Sequence, residues 1–410
     1  MVVRLCKALY STPIARVLGL HKLGSPQYLV TETSRAAAQA KVVKIAYDPH
    51  IFSFQLHGGV SRYFCEIASR IGKTAGTRVS IIAPLHVNAY LSAVPNGLVS
   101  GFRGPKWHIL SAPNRALAML LGHAMLYDLA PDIIHETYYF PHISGSRRAK
   151  RVITIHDMIH EKFPSHFPNA NRTARYKAMA AKRADHVICV SESTRRDAVE
   201  IIGLPIDKTS VIHHGFNLMN SNTADAGEPA LPLGGPFLLY VGSRGGYKNF
   251  SLLLAAYGAS PKLHKNFRLI CFGGGSFQPH ELQKIGALGL SFHQVSQVGG
   301  NDALLATFYR AATAFVCPSL YEGFGFPPLE AMSGACPVIC SNAGSIPEIV
   351  GDAGEYFDPT SVESISEAIW NIVSSDSRRQ ALTEKGHKRL AYFSWDRCAS
   401  ETLDIYSKLV

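Results

Sequence analysis

The chain is expected to be an α/β protein of two domains, each built on an open, mainly parallel sheet. Three observations predict this. Short continuous apolar runs recur along it, most followed by a glycine-bearing or polar loop, as strands buried on both faces require. Its 410 residues, 47% hydrophobic and 17% charged, are too many for one ordinary domain and ample for two cores. A polar stretch rich in Gly, Pro and Ala, residues 218–236, divides the runs into two groups and reads as a linker.

Residues 1–40 precede the first run. They carry Gly and Pro breaks and one acidic residue, Glu32, against five basic ones, and are expected to form a disordered N-terminal extension. An amphipathic membrane contact and a start assigned too early are the other readings. No run in the chain approaches the roughly 20 apolar residues of a membrane-spanning helix, and the first residues lack the apolar centre of a secretory signal.

The first domain, residues 41–217, opens with the strand KIAYD at 44–48. Gly58 and Gly59 then feed a helix whose apolar positions Val60, Phe64, Ile67, Ala68 and Ile71 recur at helical spacing. Paired glycines before a helix expose backbone donors at its positive end, which suits a phosphate or an acceptor, although a tight strand-to-helix turn needs glycine for steric reasons alone. A second strand is RVSIIAP at 78–84. PDIIHETYYFP (131–141) and RVITIHDMIHEKFP (151–164) each run from a buried strand into a polar, aromatic loop, the place where open α/β sheets bind ligands. His156 and Asp157 stand at the second of these ends. There the imidazole can donate into a cleft while Asp157 orients a neighbour, or both can simply cap the next turn. After the strand RADHVICV, Ser191 or Ser193 would cap a helix and Gly203 close it.

The second domain, residues 237–385, opens with FLLYVG. Its loop SRGGYKNF places Arg244 and Lys248 close together, and two cations that converge on one pocket call for an anion between them. RLICFGGG (268–275) and VSQVGG (295–300) end in glycines whose bare backbone could wall a base pocket.

The most informative stretch runs from 314 to 348. Ala314 to Cys317 read as a strand, Gly323, Phe324 and Gly325 as a bare loop, and Pro327 and Pro328 as the start of a helix. Backbone N–H groups and the positive helix end can there face an anion. Glu322 lies in the loop and Glu330 in the first turn of the helix. Carboxylates touching an anion would repel it, so they fit better as acceptors for hydroxyl groups on either side. A sugar joined through phosphates to a ribose has that pattern.

Charge and cysteine usage narrow the function further. A net charge of +11 calls for an anionic partner. Nucleic acid is not expected, since no basic run is interleaved with aromatics and no zinc-finger or recognition-helix signature occurs. Nucleotide-sugars and an anionic leaflet remain. Eight scattered cysteines without CxxC fit buried free thiols of a reducing compartment, and neither a metal site nor a cofactor is expected.

YEGFGFPPLEAMSGACPVICSN, with its Glu, seven residues, Glu spacing, resembles the donor-site signature of family 4 of the retaining GT-B glycosyltransferases, the group 1, mannosyltransferase-like enzymes. GGVSRY, HDMIHEKFP, YVG with its following KN, and the ending FSWDRCASETLDIYSKL are similar to that family too, so the resemblance runs from about Val42 to the end. It implies GT-B architecture: two Rossmann-like, doubly wound domains facing across a cleft, with residues 386–410 as a helix crossing back to the first. It also implies that Glu322 contacts the donor sugar and Glu330 the ribose. Lys248 would bind the diphosphate, joined by Arg244, which sits one residue later than the family form. His156 would be the cleft histidine. Gly242, Gly274, Gly323, Phe324 and Gly325 would line the donor site, and Gly58, Gly59 and Arg62 the acceptor or phosphate loop. VIHHGFN ends in Asn217 where the family more often has Asp.

The activity the resemblance implies is retaining hexosyl transfer, with mannose the first candidate, from a nucleoside diphosphate sugar to a glycan or lipid-linked acceptor, at the cytoplasmic face of a membrane in surface polysaccharide synthesis. No two aspartates are spaced two apart, so the metal-holding Asp-x-Asp pattern is absent and metal-independent transfer is expected. An inactive nucleotide-sugar-binding scaffold, an epimerase and a phosphorylase are the competing readings.

Overall fold

The computed structural model describes residues 42–104, 112–217 and 235–410. The expected extension at 1–40 and all of the expected linker except its last two residues lie outside the described residues. In the first half the strands are β1 (Val43–Tyr47), β2 (Thr77–His86), β3 (Val99–Arg103), β4 (Ile133–Glu136), β5 (Lys150–Ile155), β6 (His186–Cys189) and β7 (Thr209–Val211). They form one parallel sheet in the order β3-β2-β1-β4-β5-β6-β7. The second half holds β8 (Phe237–Val241), β9 (Arg268–Phe272), β10 (Val295–Val298), β11 (Ala314–Cys317), β12 (Val338–Ser341) and β13 (Gly354–Phe357), parallel in the order β10-β9-β8-β11-β12-β13. Strand order reverses between β1 and β4 and again between β8 and β11. At such points successive crossovers leave toward opposite faces, and the loops beyond the carboxyl ends part to form a crevice.

The apolar runs read as strands are buried because helices cover both faces. Ile45, Ile133, Val152 and Ile188 lie inside the first sheet, and Leu239, Ile270, Phe315 and Val338 inside the second. Two polar groups on β4 are paired within the first core. His135 on β4 meets Tyr406 Oη through Nδ1 at 2.6 Å and Thr154 Oγ1 through Nε2 at 2.9 Å. Glu136 beside it is paired with Arg151 and Arg183. The described cysteines Cys65, Cys189, Cys271, Cys317, Cys336, Cys340 and Cys398 are free and buried.

The helix Gly59–Ile71 buries Tyr63, Phe64, Ile67, Ala68 and Ile71 in the first core. Val60, one of the positions expected on its apolar face, is only partly buried. Ser191 caps the helix Glu192–Asp197 by accepting from Thr194 N–H, and Gly203, left-handed at φ 74°, closes the wider turn that follows. Two helices, Val362–Val373 and Asp376–Leu390, follow β13.

The C-terminal crossing begins later than residue 386. Residues 386–390 complete the helix Asp376–Leu390 on the second domain, and the crossing helix is Trp395–Leu409, capped by Ser394 Oγ. It places Trp395, Cys398, Ala399, Ile405 and Tyr406 in the core of the first domain. Phe216 N–H donates to the Phe393 carbonyl at 3.1 Å, so the chain passes between the domains twice at neighbouring positions.

Candidate active site

Two loops from the switch point of the second sheet meet. The loop after β8 tightens into a short turn over Gly246–Lys248, and Asn249 follows in the left-handed region at φ 57°. Its side-chain amide donates to the carbonyls of Pro318 and Pro359, fixing this loop to the one after β11. The result is an ion pair. Lys248 Nζ donates to Glu322 Oε1 at 2.7 Å, and Ser319 Oγ donates to the same oxygen at 2.7 Å. Burial works against the ammonium, but Glu322 beside it outweighs that and holds the Lys248 pKa above the ordinary lysine value. Lys248 stays a full cation at any physiological pH.

Past Glu322 the chain runs through Gly323, Phe324 and Gly325 into the helix Phe326–Ser333, with prolines in its first turn. Gly325, at φ 114°, takes a backbone geometry that disfavours a side chain. Gly323 is needed for another reason: a Cβ there would lie 1.9 Å from the His156 carbonyl oxygen. Its own carbonyl accepts from Ser191 Oγ at 2.7 Å and Thr194 Oγ1 at 3.2 Å. The loop Gly323–Gly325 is thus seated directly on the first domain. Ser345 Oγ holds the loop from behind by donating to the carbonyls of Glu322 and Phe324. Glu348 completes the seam, accepting from the N–H groups of Glu192 and Ser193 and lying 2.7 Å from His213 Nε2.

Glu330 projects from the helix and accepts from Tyr309 Oη at 3.1 Å. Burial raises its pKa, which the Tyr309 bond and the charge of Arg62 partly oppose. Arg62 belongs to the first domain and stands on the helix Gly59–Ile71, its guanidinium 42% exposed and 3.8 Å from Glu66. At the start of that helix Gly58 is its N-terminal cap, and the Gln55 carboxamide accepts from Ser61 N–H, so one of the expected free donors is already used. A Cβ on Gly59 would meet open space.

His156 follows β5. Its Nδ1 lies 3.4 Å from His214 Nε2, and its Nε2 is buried with no hydrogen-bond partner among the described residues. Burial lowers its pKa to about 4, with Asp157 opposing and Lys177 adding to the shift, so the ring is neutral. Asp157 accepts from Ile159 N–H at 3.3 Å and caps the next turn. Lys177 lies fully buried beneath this loop, bound to the Asp157 carbonyl and to Glu161.

Arg244 is not brought together with Lys248. It is buried, and its guanidinium donates to Glu281 Oε1 and to the carbonyls of Gly273, Gly275 and Ser276 while stacking on Phe277. In this structure the Arg244 donors are bound to Glu281 and to the loop after β9, whereas those of Lys248 face Glu322. Gly242 and Gly274, both with positive φ, let these loops approach: a Cβ on Gly274 would lie 2.8 Å from the Gly242 carbonyl and from Arg244 Nη1.

His214, Ser319, Tyr309 and Ser345 join the site without having been singled out in the sequence. The pair His213–His214 was visible in VIHHGFN, but adjacent histidines carry no signal of their own. Among the described residues no group of three His, Cys, Asp or Glu side chains is arranged to hold a metal, and no helix is long and apolar enough to cross a membrane.

Comparison with known proteins bears on family and fold. Residues 57–219 match the family model Glycosyltransferase Family 4, and residues 221–389 match Glycosyl transferases group 1. The chain is 31% identical to O-antigen chain mannosyltransferase B of Escherichia coli, over 66% of this chain and 73% of that protein. It is 26% identical to the serotype-specific mannosyltransferase WbdA of the same species over 69% of this chain, but spans only 37% of that protein. Among solved structures, sucrose-phosphate synthase from Thermosynechococcus elongatus superposes with a TM-score of 0.65 at 22% identity, covering 90% of this chain and 99% of that one. Anabaena HepE in complex with UDP and glucose gives 0.62 at 20%, covering 89% and 100%. These likenesses establish the GT-B fold. From its two matched halves and its mannosyltransferase relative, the chain belongs to the group 1 glycosyltransferases of the family 4 type.

Proposed function

We propose that this glycosyltransferase moves a hexosyl group, mannosyl first among candidates, from a nucleoside diphosphate sugar to a glycan or lipid-linked acceptor, with retention at the anomeric carbon. One observation carries the reading: the Lys248–Glu322 pair at the carboxyl ends of the switch-point strands β8 and β11, with Glu330 on the helix that follows. The relative named as an O-antigen chain mannosyltransferase supports mannose and surface polysaccharide assembly. HepE, solved with UDP and glucose, supports the donor class.

Breaking the anomeric bond leaves negative charge on the diphosphate and an oxocarbenium-like sugar. Lys248 meets that charge, with the backbone N–H groups of Gly323 to Gly325 and the start of the helix at Phe326. Glu322 neutralises Lys248 before the donor binds; once phosphate takes the ammonium, its carboxylate is released to accept from a sugar hydroxyl. Glu330 accepts from the ribose, and Gly242 and Gly274 border the nucleotide. His156 donates to a sugar hydroxyl or phosphate from the opposite wall, while Gly58, Gly59 and Arg62 face the acceptor. A leaving phosphate oxygen takes the acceptor proton on the same face, so no protein nucleophile is assigned. The net charge of +11 supports a place at the inner face of an anionic membrane.

A thermal-shift panel of GDP, UDP, dTDP and ADP, followed by transfer assays with the matching sugars, tests this. One base should stabilise the chain and its hexose be transferred with retention. Binding without turnover would favour an inactive scaffold, and inversion would overturn the mechanism.

A further inference from the structure

We propose that the helix Ala112–Leu129 docks its outward face on an anionic lipid surface, with Arg147 and Arg148 beside it, and so brings a lipid-linked acceptor to the crevice of the first domain. This deepens the proposed function and rests on its lipid-linked acceptor. The helix lies between β3 and β4 in the chain, and from Ala116 to Tyr127 it has no Asp, Glu, Lys or Arg. Ala118, Gly122 and Leu126, spaced by four, face inward and are buried. Leu126 packs with Ala46, Ile82 and Ile134, and a Cβ on Gly122 would lie 2.6 Å from Pro49 Cγ. A surface helix with one face so covered is ordinarily polar on the other. This one is not. Leu117, Leu120 and Tyr127 stand on the opposite face and are 45%, 62% and 62% exposed. Single apolar side chains are common on a surface, but large ones aligned along one helix face form a patch that calls for a partner.

Charge identifies that partner. Between residues 112 and 150 the exposed charged side chains are Asp128 on one side and Arg115, Arg147, Arg148 and Lys150 on the other. Of the four basic ones, Lys150 alone meets a carboxylate among the described residues, Asp185 at 3.2 Å. The loop that carries Arg147 and Arg148 is held against the helix. Gly145 N–H donates to His123 Nδ1 at 3.1 Å, and a Cβ on Gly145 would lie 2.7 Å from Leu126 Cβ. A second copy of a chain with net charge +11 would set these cations against their like, whereas an anionic leaflet attracts them and takes up the leucines.

The patch also lies in the right place. Leu126 sits over Ala46 of β1 and Ile134 of β4, and Gly122, one turn earlier, has already reached Pro49 beyond the end of β1. The turns before Gly122 therefore run on past the carboxyl edge of the sheet, roughly 15 Å at about 1.5 Å per residue. They carry Leu117 and Leu120 to the rim of the crevice. Phe54 and Tyr138, from the loops after β1 and β4, meet edge-on at 5.1 Å on that rim, and the chain from Tyr138 runs on to Arg147. A leaflet seated on the stripe thus borders the crevice where the acceptor is proposed to sit.

Flotation of the full chain with lipid vesicles tests this. Vesicles of phosphatidylglycerol mixed with phosphatidylcholine should carry the protein, phosphatidylcholine alone should not, and added salt should weaken the capture. Leu117→Glu combined with Leu120→Glu should cut partitioning roughly tenfold or more, and Arg147→Ser combined with Arg148→Ser about tenfold with a flatter salt dependence. The added fluorescence of Leu120→Trp should shift to the blue on anionic vesicles, and none of these changes should alter the thermal shift given by the nucleotide. Failure of anionic vesicles to capture the chain, capture indifferent to the two glutamates, or a Leu120→Trp spectrum that does not move would overturn the proposal. So would a dimer that Leu120→Glu dissociates, found without vesicle capture, which would give the face to a second copy. Where the glutamate variants do not fold, the Leu120→Trp spectrum decides. Absence of transfer with every donor would sink the proposed function and leave the flotation readable.

Discussion

Lys248 Nζ and Glu322 Oε1 lie 2.7 Å apart, although 74 positions separate them in the chain. They meet because β8 and β11 are neighbours at the reversal of strand order, so the loops beyond both strands open into one crevice. Neither residue is fully buried, with side chains 19% and 12% exposed, and the ammonium can exchange its carboxylate partner for a phosphate without leaving the crevice.

Lys248→Ala should reduce kcat at least 100-fold, since the cation proposed to meet the leaving diphosphate is lost. Glu322→Gln should also be slow. Steady-state kinetics of the double variant should fall well short of the product of the two effects, because the residues act on one event. Near-normal turnover of Lys248→Ala would refute its role.

Arg244→Ala should act on stability before chemistry. The change leaves Glu281 buried without its cation and frees three loop carbonyls, a loss on the order of 3–5 kcal/mol. Urea unfolding should report it. A variant of normal stability and no nucleotide affinity would restore Arg244 to the phosphate.

Gly323→Ala should uncouple the domains. The added Cβ meets a backbone oxygen at 1.9 Å, and backbone yields less readily than a side chain. We expect both halves to remain folded, a larger radius of gyration by X-ray scattering and transfer reduced by more than tenfold. An unchanged scattering profile with full activity would show that the loop seats elsewhere during catalysis.

Acid should destabilise the protein well above the carboxylate range. Burial lowers His156 and His86 to about 4 and His135 to about 3, from an ordinary 6.5. In that interval the unfolded chain takes up protons that the folded chain refuses. Stability is therefore full above pH 6.5 and declines as pH falls toward 4. Unfolding midpoints at pH 7.5, 6 and 5 should fall in that order, and a flat series would contradict the burial of these rings.

Transfer should survive chelation, because the proposed mechanism takes its positive field from Lys248 and backbone donors and no Asp-x-Asp occurs in the sequence. Loss of activity in EDTA with recovery on adding Mg²⁺ would count against this.

Much of the architecture was legible along the chain. The central parallel strands AFVC and FLLYV are short continuous apolar runs and could be bounded almost to the residue, and the prolines after Phe326 announced a helix start, whereas the edge strand VSGFR carries no such run. The seven-residue gap between Glu322 and Glu330 was likewise readable, because both lie in one strand–loop–helix unit whose geometry is local. What the order of residues could not decide was which way a side chain turns and what it meets across the cleft. Arg244 looked like a partner of Lys248 until the fold placed Glu281 and three carbonyls on its own side. His214 seemed only to end a domain, yet the crossing helix and the loop at Phe324 close around it and aim it at His156. The sequence determined the strands, the glycine loops and the paired glutamates, since these follow from periodicity and local backbone chemistry. Only the tertiary structure decided the partners of each charge and imidazole, because contacts between residues distant in the chain depend on strand order and domain closure, which no local pattern encodes.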